Sequence, residues 1–198
     1  MKSNYLHASR KQFEYYKMLG DRTFAQISDE DFFWQFNEES NSIAIIVKHI
    51  WGNMLSRWTD FLTSDGEKDW RNRETEFAND INDVKTLLEK WEEGWACLFK
   101  AIDSVNESNF DTEILIRNQR HTIVEAVNRQ MCHYSYHIGQ IVYLGRMLKG
   151  KDWKSLTIPK GKSEEFNKMR FSKPSGRKHF TTEFLDGNYF KNEEDSKA

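Results

Sequence analysis

The sequence predicts an all-α fold: a four-helix bundle, a small extended hairpin or link before its last helix, and an irregular C-terminal tail. Three observations carry this. Both prolines, Pro159 and Pro174, fall late, so everything before them is free to be helical. Apolar residues recur at i, i+3, i+4 and i+7, which places them on one face of a helix. Ser42 and Thr122 stand as N-caps, and the Ser64-Asp65-Gly66 cluster and Gly150 stand as stops.

The first helix is expected from Asn4 to Gln26, and one extra turn fits between Asp29 and Phe36. The second runs from Ser42 to about Thr63, with a main apolar stripe at Ile43, Val47, Ile50, Met54, Trp58 and Phe61. A longer connection, residues 64–80, is expected to cross one end of the bundle. The third helix starts after Asp80 and reaches Val105, with Leu87, Leu88, Trp91, Trp95, Leu98 and Ile102 on one stripe. Residues 112–120 are β-prone and then polar, which suggests the hairpin or link. The fourth helix runs from Thr122 to Leu148, and Glu125 completes a capping box with Thr122.

Residues 1–150 therefore form the bundle and residues 151–198 a tail that packs on it or extends from it. The tail is basic: from Lys160 to Lys178 there are seven Lys or Arg against two Glu. A solvated tail on an acidic body accounts for that. The whole chain carries a net charge of −2, so it has no electrostatic reason to seek nucleic acid. Seven Trp and 14 Phe argue against disorder. No continuous apolar segment reaches the length of a membrane span or export signal, so a soluble cytoplasmic protein is expected. Cys97 and Cys132 form no CxxC motif, and read as two small buried thiols in a reducing compartment. The tryptophans of the second and third helices suit packing, and also a homodimer interface.

The chemistry concentrates in Met131-Cys132-His133-Tyr134-Ser135-Tyr136-His137. His133 and His137 are i and i+4 on a helix, one turn apart on one face, where two imidazoles can grip one ion. On a helical wheel they share an arc of about 100° with Ile123, Ala126, Tyr134, Ile141, Leu144 and Leu148. That is the core-facing stripe, and imidazoles placed there need partners. Hydrogen bonds in the core supply one answer and a metal ion supplies another. His49 lies off the main stripe of its helix, on a second face with Ser42, Ile45, Ile46, Asn53 and Ser56. A face part aliphatic and part small-polar fits the wall of an internal pocket, and His49 is the candidate third ligand. Three neutral imidazoles would leave a coordination position open.

At these residues the chain resembles the DinB-like superfamily, which includes the YfiT-type bacillithiol S-transferases. Members look like four-helix bundles whose divalent metal is held by one His of the second helix and an HxxxH pair of the last. The matching positions are His49, His133 and His137, and the likeness spans about residues 1–150. The runs Asn41 to His49, Gly52 to Lys68, Trp70-Arg71-Asn72-Arg73 and Ser155 to Gly161 are similar to an uncharacterised bacterial branch of that superfamily.

The resemblance implies zinc or nickel as the occupant and a low-molecular-weight thiol as substrate. Coordination would deprotonate the thiol for attack on a small electrophile. Asn53 and Gln140 are candidates to support the ligands, and each also reads as an ordinary packing polar. Arg57 is a candidate for binding substrate carboxylates. Arg71 and Arg73 could do the same, but a solvated loop explains them better. Tyr134 and Tyr136 read as packing residues. Two alternatives stand beside thiol transfer. One is metal-dependent hydrolysis, which lacks an evident general base near the histidine pair. The other is a metal-stabilised binding or stress-response module.

Overall fold

The computed structural model describes residues 2–185, so the stretch of the expected tail from 186 to 198 lies outside the described residues. The order is α1 (Lys2–Phe24), α2 (Ile43–Trp58), α3 (Val84–Asp103), β1 (Glu113–Ile116), β2 (Gln119–Thr122), α4 (Ile123–Lys149), α5 (Ser163–Phe171) and α6 (Thr182–Leu185). The architecture is the expected all-α bundle with one tiny sheet.

The caps work as their chemistry dictates. The Ser42 side chain accepts from the Ile45 N–H at the start of α2, and Asp83 accepts from Thr86 at the start of α3. Thr122 and Glu125 form the reciprocal capping box at the start of α4. The end of α2 differs from expectation. It stops at Trp58 rather than near Thr63, because Thr59 is extended and Asp60 takes a positive φ of 48°. The Asp60 carbonyl then accepts from the Thr63 and Ser64 N–H groups, which closes a turn in place of further helix.

Helix directions follow from the contacts. Tyr5 meets Val124 and Asn128, while Thr23 lies beside Gly145, so α1 and α4 run parallel. Trp51 pairs with Glu93 and Thr59 with Cys97, so α2 and α3 are also parallel. Arg10 meets Asp103 and Lys17 meets Glu92, which sets the α1/α4 pair against the α2/α3 pair. Two consecutive parallel helices cannot be joined by a short turn. Residues 59–83 therefore do not cross one end of the bundle. They return along α2, whose 16 residues span about 24 Å. We call this returning segment the strap.

The core joins Phe13, Met54, Trp58, Leu87, Trp91, Trp95, Leu98, Tyr134 and Ile138, each at most 3% exposed. Trp58, Trp91 and Trp95 thus have the packing role weighed for them. Gly20 lets α1 approach α3, since a Cβ there would sit 2.5 Å from the Trp91 ring. Cys97 is only half-buried and Cys132 is exposed, contrary to the expected pair of buried thiols. Residue 132 falls on the solvent side of α4, about 100° from His133.

The hairpin is antiparallel, with Glu113 opposite Thr122 and Ile116 opposite Gln119. Its two-residue turn, Arg117-Asn118, has φ of 53° and 58°. Turns of this left-handed kind match strand twist and suit Asn far better than Arg. The Asp65 carboxylate offsets the strain by accepting both turn N–H groups, at 2.8 and 2.7 Å. Gly66 N–H donates to the Leu115 carbonyl, which fastens the strap to the hairpin. In the tail, α5 buries no residue, whereas Phe184 of α6 is buried and its carbonyl accepts from Arg22. Among the described residues, no helix is long and apolar enough to cross a membrane.

Candidate metal centre

Where α2 and α4 run antiparallel, His49 faces His133 and His137. His133 Nε2 lies 3.3 Å from His49 Nε2 and 3.1 Å from His137 Nε2. All three donor atoms fall within 4.8 Å of one another. Nitrogens held about 2.0–2.1 Å from one tetrahedral ion stand about 3.3 Å apart, so the donor set fits a divalent metal.

The distal nitrogens explain why the near ones converge. His49 Nδ1 lies 2.8 Å from Glu76 Oε2, and His137 Nδ1 lies 2.9 Å from Gln140 Oε1. With acceptors there, each ring carries its proton on Nδ1 and turns the Nε2 lone pair inward. Burial first, and then His137, His49 and two arginines, push the His133 imidazole down to about 3. Burial pushes His137 in the same direction, with Gln140 opposing it. These two rings are therefore neutral at pH 7, the state that can ligate.

The strap supplies what the helices lack. Glu76 sits in a 3-10 turn (Glu74–Phe77) and is 4% exposed. Burial alone would raise its pKa. The hydrogen bonds from His49 and Arg71 outweigh that and hold the carboxyl below its usual range. Arg71 grips both oxygens, with Nε at 2.7 Å from Oε1 and an Nη at 3.0 Å from Oε2. Phe77 stacks on His49 at 4.9 Å between centroids. Lys48, beside His49, anchors the strap by donating to the carbonyls of Thr75 and Ala78 and to the Asp80 carboxylate. Room for Glu76 comes from Gly52, one turn after His49, where a Cβ would lie 2.5 Å from Oε1.

Each expected site residue can now be placed. His49, His133 and His137 come together. Gln140 touches His137. Asn53 lines the cavity beside His49 and His133, and its Oδ1 accepts from the Tyr134 hydroxyl at 3.0 Å. Tyr134 in turn accepts from Trp58 Nε1, a donor only, so the Asn53 carbonyl must face Tyr134 and its NH₂ faces away. Arg57 is buried and donates to the Gly66 carbonyl and Glu67. Arg71 is a correction. Expected in a solvated loop, its side chain is 2% exposed and braces Glu76. Arg73 is exposed as expected, yet it lines the same cavity. Glu76 was not foreseen at all. The signal was Gly52, since a glycine inside a helix at a modest energetic cost marks a close approach.

A model of the family described as "Protein of unknown function (DUF1572)" matches residues 1–162. Neither a curated protein nor a solved structure matches the chain.

Proposed function

We propose, from the premise that this chain belongs to the DUF1572 family of unknown function, that it is a divalent-metal thiol transferase. One observation carries the reading: three Nε2 donors converge while two of the rings are braced from behind by Glu76 and Gln140. Three ligands from two rigid helices leave one side of the centre facing the cavity, as a working site requires. The DinB-like resemblance of the motifs supplies the thiol, and bacillithiol-type compounds are its leading candidates. Zinc or nickel suits the imidazole donor set. The chemistry such an ion supplies is a lowered thiol pKa, which yields a nucleophile at neutral pH.

The chain's own residues do the rest. His49, His133 and His137 hold the ion, Glu76 and Gln140 fix their tautomers, and the free amide of Asn53 borders the cavity. Hydrolysis is the weaker reading. Among the described residues no Asp or Glu lines the cavity. Glu76 is committed on both oxygens to His49 and Arg71, so it cannot serve as a general base.

The test begins with metal analysis of protein purified without a histidine tag. About one equivalent of zinc or nickel is expected, and only trace metal overturns both enzymatic readings. A panel of thiols with a chromogenic electrophile then follows, with His137→Ala as control. Faster thiol consumption by wild type supports transfer. Equal rates, with metal present, leave a metal-stabilised binding module.

A further inference from the structure

His49 and His133 line a cavity of about 160 Å³, a volume comparable to an engineered cavity that takes a benzene-sized molecule. The other walls are unusual. Arg57 comes from α2, Arg71 and Arg73 from the strap, Arg117 from the hairpin turn and Arg129 from α4. Three carboxylates answer these five cations: Asp65, which accepts from the Arg117 and Asn118 N–H groups and feels the Arg57 charge, with Glu67 and Glu76. Glu67 lies 3.2 Å from Arg57, 3.0 Å from Arg117 and 3.9 Å from Arg71, and Glu76 lies 2.7 Å from Arg71. Arg73 and Arg129 have no acidic partner among the described residues. Against these three carboxylates, the five arginines keep an excess of two positive charges around the chamber, in a chain whose net charge is −2.

Unpaired polar groups reinforce the point. Gln130 is 3% exposed and lines the cavity, and its Oε1 is without a hydrogen-bond partner among the described residues. Arg57 is 6% exposed and its Nε is likewise unpartnered. Buried donors are nearly always paired, so the Arg57 Nε–H is a donor waiting for an acceptor absent from the chain itself. Guanidinium forks match pairs of acidic oxygens. One negative charge would leave half of the excess unbalanced, whereas a dianion would balance it.

We infer that the arginine-lined end of the chamber binds a compact dianionic group, a dicarboxylate or a phosphate monoester, of the molecule handled at the histidines. The identity of that molecule as substrate rests on the function proposed above. The anion site itself needs no metal.

The test is calorimetric titration of the full-length protein, metal-free after chelation and dialysis, with succinate, inorganic phosphate and acetate. A dianion is expected to bind at least about tenfold tighter than acetate, and 0.5 M salt to weaken it. Succinate against phosphate tells carboxylate from phosphoryl recognition. Arg73→Gln and Arg129→Gln, both exposed and therefore safe for folding, should each weaken binding by about tenfold. Zinc binding by the same variants should stay intact. Protein that binds succinate but no zinc keeps this inference and loses thiol transfer. Succinate binding that needs zinc and ignores both arginine variants places the anion on the ion, and overturns the inference while sparing the metal reading. Acetate binding as tight as succinate also overturns it.

Discussion

Glu76→Gln separates two jobs that one carboxylate performs. The substitution keeps the shape of a side chain that is 4% exposed, and removes its charge. Glu76 accepts from His49 on Oε2 and from Arg71 on both oxygens. An amide can accept on one side only. If its oxygen serves His49, its NH₂ confronts the Arg71 N–H, donor against donor. Loss of a carboxylate behind a ligating histidine costs about 10–100-fold in metal affinity, or about 1.4–2.8 kcal/mol. Loss of one partner from a buried ion pair costs about 3–5 kcal/mol of stability. Glu67, 3.9 Å from Arg71, keeps a second carboxylate near the guanidinium, so the lower end, about 3 kcal/mol, applies. Urea unfolding of chelator-treated protein should show a midpoint lower by about 1–2 M. Competition with a chromogenic chelator, in buffer without urea, should show the drop in zinc affinity. An unchanged zinc affinity beside a lowered midpoint would refute the argument, since Glu76 would then brace Arg71 alone. Gly52→Ala crowds Glu76 without touching its charge, and should weaken zinc in the same direction.

Three further outcomes are expected. Metal-free protein should lose stability as pH falls from 7 to 5. His133 is held near 3 in the fold and rises to about 6.5 when unfolded, so its contribution is complete above about pH 6.5 and fades toward 3. The slope should stay below about 1.4 kcal/mol per pH unit because the ring is half-buried, and His133→Ala should flatten it in urea series at the two pH values. Gly20→Ala should destabilise by about 1–3 kcal/mol, because its Cβ would overlap the Trp91 ring at 2.5 Å; an unchanged urea midpoint contradicts that packing. Asp65→Ala frees both N–H groups of the hairpin turn and should cost about 1–2 kcal/mol, whereas Arg117→Gly should raise the midpoint by relieving positive φ.

What could be read from the chain alone follows the range of the forces involved. The His133/His137 pairing is local, set by helix pitch over four residues, and needs no tertiary knowledge. The capping box at Thr122 is local for the same reason. His49 came forward through its pocket-like face and the family resemblance, because nothing in α2 says which helix it meets. The strap was misjudged because it has no period to read. Its course is set by Lys48, which captures Thr75, Ala78 and Asp80 from about 30 residues away in sequence. Arg71 and Glu76 inherit that blindness, since both look like solvated loop residues until the strap is docked. The length of the 59–83 connection was itself a clue, since antiparallel neighbours need far less chain.

The chamber is built from parts that differ in how freely they can change. The three imidazoles stand on helices locked into the core, where a substitution is felt through the whole packing. Three of the five arginines, Arg71, Arg73 and Arg117, stand on the strap and the hairpin turn, which Asp65 and Gly66 tie to each other. Loop segments accept replacement and insertion far more readily than buried helix faces. Substitutions on the strap and the turn therefore reshape the arginine wall while leaving the three imidazoles where the helices hold them, so the two halves of the chamber can vary independently.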